Sequence, residues 1–233
     1  MLRTLPLLLL LLAPAVHADE MTFLVDTGTE MPMARFKGWQ VVEGIQYDIG
    51  QALAQAMGRS ARFVVLPRQR MVSALENGSA DLLCSYVPQW LPGNFDWSQP
   101  FLPTVEVLLT NGAAARPHKL ADVAGQAVGT VLGYRHPELE KLLGKDFVRD
   151  DGPTTEASLR KLAVGRMQHA ITSEYIYLYR TKKGDLPITL HPPLVVKRYM
   201  TQCAVAPQGR VKVADVNAGI AKLVREEAVA KIV

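Results

Sequence analysis

The chain has 233 residues, 48% of them hydrophobic and 21% charged, with a formal net charge of +4. That balance excludes a disordered segment, a collagen-like repeat and a small disulfide scaffold, and the length suits one large domain or two lobes that each bury a core. The 26 Lys and Arg residues are scattered rather than clustered, so neither a nucleic-acid face nor a polybasic membrane face is expected.

Residues 1–18 read as an address label. Arg3 supplies a positive start, Leu5 to Leu12 is apolar apart from Pro6, and Val16-His17-Ala18 leaves small side chains where a signal peptidase reads. The pattern predicts a secretory signal cleaved between Ala18 and Asp19. The alternative is an uncleaved anchor, although the apolar run is shorter than the roughly 20 residues a bilayer span needs. Cys84 and Cys203 are the only two cysteines. In an oxidising compartment they can form one disulfide or stay as buried thiols, and spacing does not choose between these.

Beyond the leader, short apolar strands alternate with amphipathic helices, which predicts an α/β class. Met21 to Val25 reads as a strand that runs into a turn at Asp26-Thr27-Gly28. Asp48 is placed to cap a helix through Met57, with Ile49, Ala52, Leu53, Ala56 and Met57 on one face and Gly58 as its stop. Arg62 to Leu66 is strand-like, a helix follows from near Pro67 to Gly78, and Asp81 to Tyr86 reads as a buried parallel strand. Val105 to Thr110 and Tyr199 to Ala206 are extended, as two crossings between lobes would be. Asp215 to Val233 reads as one or two helices, with Val216, Ile220, Leu223, Val224 and Ile232 spaced to pack on the first lobe.

A weak internal echo accompanies this pattern. Leu75 to Asp81 and Leu162 to Gln168 each end a helix, stop at a glycine (Gly78, Gly165) and step into an apolar strand. Two lobes of related topology explain the echo, as does the general habit of helices to end on glycine.

Taken in order, Gly44 to Ile49, Leu66-Pro67, Leu75 to Leu82, and Phe95 to Phe101 resemble solute-binding protein family 3. Leu120 to Gly129, Gly165-Arg166 and Ile171-Thr172 extend the likeness through the second half. Members of that family are periplasmic receptors of polar amino-acid ABC importers. The resemblance therefore implies an α/β, two-lobed periplasmic-binding-protein type II fold with a two-strand hinge and C-terminal helices. Lobe 1 is expected over residues 19–108 and 202–233, and lobe 2 over residues 109–201. A periplasmic location, a small polar ligand and an inner-membrane ABC permease or sensor as partner are implied with it, for a protein working as a monomer.

The sequence departs from the family pattern in two places. Family members place an Arg a few residues past the strand ending at Ser85-Tyr86 to clamp the ligand carboxylate, and Val87 to Asn94 contains none. They place an Asp for the α-amino group where this chain has Ser173, followed by Glu174.

Other residues are candidates to fill these roles. Gly133-Tyr134-Arg135-His136-Pro137 follows a strand and opens a helix, so Arg135 is either a guanidinium fork for a carboxylate or a surface residue beside a helix start. Arg68 and Arg70 flank another helix start; one can aim inward while the other packs on the surface. Tyr86 and Trp90 are candidate stacking walls or core, and Trp97 is read as core. Glu174 is either an amine acceptor or a solvated acid at a helix start.

The five His residues have no metal-ligand spacing, and no H-E-x-x-H, CxxC, Walker A, G-x-S-x-G or G-x-G-x-x-G occurs. Neither a metal nor a cofactor is expected. Two further readings stand beside transport: a ligand-sensing adaptor for a membrane partner, and a dehydratase-like enzyme on the same fold with Glu174 or Glu30 as its acid–base group.

Overall fold

The computed structural model describes residues 19–233, so the expected leader lies outside the described residues. Among the described residues, eleven strands and seven α-helices run in chain order, beginning with β1 (Glu20–Asp26), the hairpin β2 (Arg35–Lys37) and β3 (Gln40–Glu43), and α1 (Ile45–Ala56). Then come β4 (Ser60–Leu66), α2 (Arg68–Glu76), β5 (Leu82–Tyr86), β6 (Asp96–Trp97) and β7 (Leu102–Thr110). The second half holds β8 (Ala127–Val131), α3 (Pro137–Leu143), β9 (Val148–Gly152), α4 (Thr155–Ala163), β10 (His169–Ser173) and α5 (Glu174–Lys183). The long β11 (Leu194–Val205), α6 (Val213–Arg225) and α7 (Ala228–Ile232) complete the chain.

The main sheet has the order β4-β1-β5-β11-β7-β10-β8-β9, with β6 also paired to β11. Two units are embedded in it. The segment β1-α1-β4-α2-β5 and the segment β8-α3-β9-α4-β10 each lay three parallel strands in the same order, with the first strand in the middle. The antiparallel strands β7 and β11 run between them. The glycines of the sequence echo occupy matching places: Gly78 after α2 and Gly165 after α4 both adopt a left-handed turn, at φ 71 and 72, which a side chain would strain.

Hydrophobic patterning builds the core as periodicity dictates. Ile45, Ile49 and Leu53 of α1 meet Val216, Ile220 and Leu223 of α6 beneath β1 and β5, so the C-terminal helices return to the first unit. Val224 does not join them: it is 52% exposed, because it sits one residue past the buried Leu223 and turns out to solvent. The start of α1 also differs from the sequence reading. The cap is Gly44 and the helix begins at Ile45, which puts Asp48 inside the first turn. Gly44 has φ 116, and a Cβ there would lie 2.7 Å from the Met33 carbonyl oxygen. Only glycine fits that approach.

Asp81 anchors the C-terminal segment. Its buried carboxylate accepts from the backbone N–H groups of Thr22 and Arg210 and pairs with the Arg210 side chain at 3.0 Å. A disulfide joins Cys84 of β5 to Cys203 of β11, which lie opposite each other in the ladder. Among the described residues, no helix is long and apolar enough to cross a membrane.

Candidate ligand-binding cleft

Parallel strands end with their carbonyl edges and the following helix starts gathered on one side, which is where open α/β sheets bind ligands. Here two such sets face one another. The turn after β1 contributes Gly28, Thr29 and Glu30, α2 contributes Arg68, and the end of β5 contributes Ser85 and Tyr86. From the second unit come Tyr134, Arg135 and His136 after β8, Thr155 at the start of α4, and Thr172 and Ser173 at the end of β10. Glu106 of β7 and Thr201 of β11 form part of the lining from the crossing strands. The cavity between them measures about 160 Å³, below the usual range for drug-sized ligands of ~300–1,000 Å³.

Arg68 is the cation most enclosed in this lining, with its side chain 14% exposed. It donates to the Tyr86 hydroxyl at 3.0 Å and to the Trp90 carbonyl at 3.0 Å. Its guanidinium lies 5.1 Å from the Tyr86 ring centre and 4.4 Å from that of Tyr134, on the opposite unit. Two of the five guanidinium N–H groups are thus committed to the protein. The Asp26 carboxylate stands 3.9 Å away. Burial raises the Asp26 pKa, opposed by the Gly28 N–H and the Arg68 charge. Burial also pushes Tyr86 up to about 12 and raises Tyr134, so both phenols are neutral donors.

A second bridge between the units is ionic. Glu30, after β1, pairs with Arg180 of α5, and the two side chains are 15% and 16% exposed. Burial raises the Glu30 pKa against the pull of Arg180. The third polar group lies deeper: Glu106 Oε1 and His136 Nδ1 are 2.6 Å apart, and both residues are buried.

Among the described residues, most of the buried side-chain polar atoms without a hydrogen-bond partner belong to this lining, including Ser85 Oγ, Thr172 Oγ1, Gln46 Oε1, Glu30 Oε1, Glu106 Oε2 and His136 Nε2. Buried polar groups are normally satisfied, and this concentration sets the cavity wall apart from the rest of the described interior. Ser85 adds a backbone signal: its φ of 69 is left-handed, a conformation that costs a non-glycine residue about 1–2 kcal/mol.

The sequence candidates divide. Arg68, Ser85, Tyr86, Trp90, Tyr134, Arg135 and Ser173 come together at the cavity. Arg135 lies at its rim rather than inside: its side chain is 52% exposed and bound to Glu140 at 3.0 Å, an arrangement that raises its pKa. Arg70 is exposed and outside the lining, because two residues along α2 rotates it away from the face that carries Arg68. Glu174 is also outside, one position beyond Ser173, whose hydroxyl is occupied in capping α5. Gly133 supplies only the turn; a Cβ there would lie 3.6 Å from Arg68 Cδ.

Glu106, His136, Gln46, Thr155, Thr172 and Thr201 were not singled out from sequence. The available signal was a lone acid in the apolar run Val105 to Thr110, since an ion in a buried strand needs a partner. Among the described residues no group of three or more His, Cys, Asp or Glu is placed to hold a metal ion.

A model of the bacterial extracellular solute-binding proteins, family 3, matches residues 25–233. No curated protein matches the sequence. Among solved structures the chain is similar to an ancestral arginine-binding protein bound to arginine, at 16% identity and TM-score 0.75, over 93% of this chain and 97% of that one. It is similar to a histidine kinase sensor domain with similarity to periplasmic binding proteins, at 21% identity and TM-score 0.74, over 93% and 95% of the two chains. An ancestral amino-acid-binding protein described as a precursor of cyclohexadienyl dehydratase matches at 16% identity and TM-score 0.73, over 92% and 93%. At these identities the likeness carries the fold, a two-lobed periplasmic-binding architecture.

Proposed function

The chain belongs to the bacterial extracellular solute-binding proteins of family 3, and from that premise we propose that it captures a small polar ligand, amino-acid-like or an organic anion, between its two units. The observation that carries this reading is the set of unpartnered buried polar atoms gathered from both units around one cavity. Arg68 holds the anionic group of the ligand with its uncommitted N–H groups, and Tyr86, Trp90 and Tyr134 form the walls. Ser85 and Ser173 sit on opposite sides, and Arg135 serves at the rim. Lobe 1 comprises residues 19–108 and 202–233 and lobe 2 residues 109–201. The contacts of Glu30 with Arg180 and of Arg68 with Tyr134 are those a closed state would make, and a ligand bridging both lobes favours that state.

After loss of residues 1–18 the protein works as a periplasmic monomer that hands its ligand to an inner-membrane ABC permease. A second reading, a sensor that reports ligand to a membrane partner, is favoured by the likeness to a histidine kinase sensor domain. Catalysis has less behind it: of the two acids considered for it, Glu174 is outside the cavity and Glu30 is tied to Arg180.

The test is thermal unfolding of residues 19–233, stripped by unfolding and refolding, against amino acids, polyamines, dicarboxylates and phosphorylated metabolites. A ligand at 100 times its Kd adds about 2.7 kcal/mol, roughly 5–10 °C for a chain of this size. A panel with no shift contradicts the capture reading, and turnover of prephenate or arogenate by the pure protein would replace it with the enzymatic one.

A further inference from the structure

The turn after β8 carries three of the cavity residues, Tyr134, Arg135 and His136, with little apolar anchorage of its own. Leu132 at its crest is 63% exposed, and Gly133 is exposed and left-handed at φ 80. A loop with few buried apolar contacts opens readily unless polar contacts hold it.

Arg149 of β9 supplies those contacts. Its Nη1 donates to the Tyr134 carbonyl at 2.9 Å and its Nη2 to the Val131 carbonyl at 3.2 Å. These are the two ends of the turn that the Tyr134 N–H closes onto the Val131 carbonyl at 3.0 Å. Asp151 fixes the guanidinium, accepting from Nε at 3.1 Å and from Nη2 at 2.7 Å, and it also accepts from the Thr130 hydroxyl. A planar fork with five donors can serve two carbonyls and a carboxylate together, which the point charge of an ammonium does not reproduce. Arg149 is outside the cavity lining, so it acts through the turn.

The first unit shows what the fold needs at this place. The Thr27 N–H donates to the Leu66 carbonyl at 3.1 Å, as the Leu132 N–H donates to the Gly152 carbonyl at 2.9 Å. In the first unit the Asp26 side chain then closes the turn from within, accepting from the Gly28 N–H at 2.9 Å. Val131 holds the place of Asp26 in the strand register and has no such acceptor. Three residues before Leu66, β4 carries Phe63; three residues before Gly152, β9 carries Arg149. The arginine is thus an addition of the second unit. What it holds in place is the Tyr134 ring, whose centre lies 4.4 Å from the Arg68 guanidinium across the cavity.

We propose that Arg149 is a positioning residue for the cavity: by bridging the Val131 and Tyr134 carbonyls it sets the Tyr134 ring against Arg68, and so sets how well the second unit covers a ligand held by the first. This rests on the capture reading and adds to it a residue that itself touches no ligand.

The experiment compares wild-type protein (residues 19–233) with Arg149→Met, Arg149→Lys, Tyr134→Leu and the double variant Arg149→Met/Tyr134→Leu. The first readout needs no ligand: the Nε–H resonance of Arg68 in a proton–nitrogen NMR spectrum, assigned with Arg68→Lys, is displaced by the Tyr134 ring. Tyr134→Leu should abolish that displacement, and Arg149→Met should remove most of it. The second readout is calorimetric titration with the twenty amino acids, succinate and glutarate. For the tightest of these probes Arg149→Met and Tyr134→Leu should each weaken binding about tenfold, and the double variant hardly more than either, as for residues that act as one. Arg149→Lys, which keeps a cation beside Asp151, should move both readouts the same way and decides the matter if Arg149→Met does not fold. A merely structural Arg149 would lower the melting temperature with the Arg68 resonance unmoved, or with losses of affinity that add in the double variant, and either result overturns the inference while leaving capture standing. Binding of none of the probes by wild type overturns the capture reading, and with it the part of Arg149 in covering a ligand.

Discussion

The two βαβαβ units share strand order and helix placement but present different chemistry to the cavity. At the start of the second helix the first unit places Arg68 and the second places Thr155. At the end of the third strand the first offers Ser85 and Tyr86, and the second offers Thr172 and Ser173. One unit therefore brings a guanidinium and aromatic walls, and the other mainly hydroxyls with Tyr134 and His136. The buried hydroxyls of Ser85 and Thr172 are both unpartnered, so the framework repeats in the hydroxyls it presents to the cavity and diverges in the charge it presents there.

The junctions with the crossing strands diverge too. Cys84 of β5 is tied covalently to Cys203 of β11, whereas the corresponding contact of β10 with β7 pairs Ile171 with Leu108. The largest expected effect follows from that contrast. Replacing both cysteines with Ala should lower stability by about 2–5 kcal/mol, because the bond closes a long loop, while Ile171→Val should cost about 0.5–1.5 kcal/mol. Denaturant unfolding of the two variants checks this, and equal losses would show that the bond adds nothing to packing.

Next comes the bridge between the units. Arg180→Met leaves Glu30 largely buried without its cation and should cost about 1–3 kcal/mol, less than a fully buried pair because some solvent reaches it. It should also weaken ligand binding, since the contact joins opposite walls. Unchanged binding would mean that the pair stabilises one unit rather than their closure.

A smaller effect is expected at the counterpart of Arg68. Thr155→Val, on the hydroxyl-bearing side, should change affinity by less than about threefold, a fraction of the ~1.4 kcal/mol that a tenfold change represents. A large loss in a titration would show that the second unit contributes more than neutral hydrogen bonds.

The smallest effect is on pH dependence. The folded-state pKa of Asp26 is raised by burial above its ordinary 3.8, so the folded protein holds this proton more tightly than the unfolded chain does. Its contribution to stability falls as pH rises from 3.8 through the raised value and is constant above it. Relative to wild type, Asp26→Asn should gain stability across that window, as read by urea unfolding at a series of pH values. Parallel curves would contradict the burial of this charge.

Much of this architecture is legible in the sequence because strands, helix faces and glycine stops are local signals. Leu82-Leu83-Cys84 announces a buried strand, Ile49 and Leu53 a helix face, and Gly78 and Gly165 two helix ends. The hairpin β2–β3 escapes because Arg35 to Lys37 and Gln40 to Glu43 are short, largely exposed and without clear alternation.

The site is less legible because it depends on which way a side chain turns and on pairs far apart in the chain. Arg68 and Arg70 look alike in sequence, and only helix rotation separates them. Arg135 looks free until Glu140 is seen to hold it. Glu106 and His136 are 30 residues apart, and nothing local announces that they meet.

In the proposed capture, the charge contributed by the first unit holds the ligand. The most direct measurement is a calorimetric titration of Arg68→Ala with whichever compound gives the largest thermal shift in wild type. A loss of about 100-fold or more is predicted, as expected for charge-assisted hydrogen bonds inside a closed site. Affinity within a factor of three of wild type, in a folded variant, would contradict it.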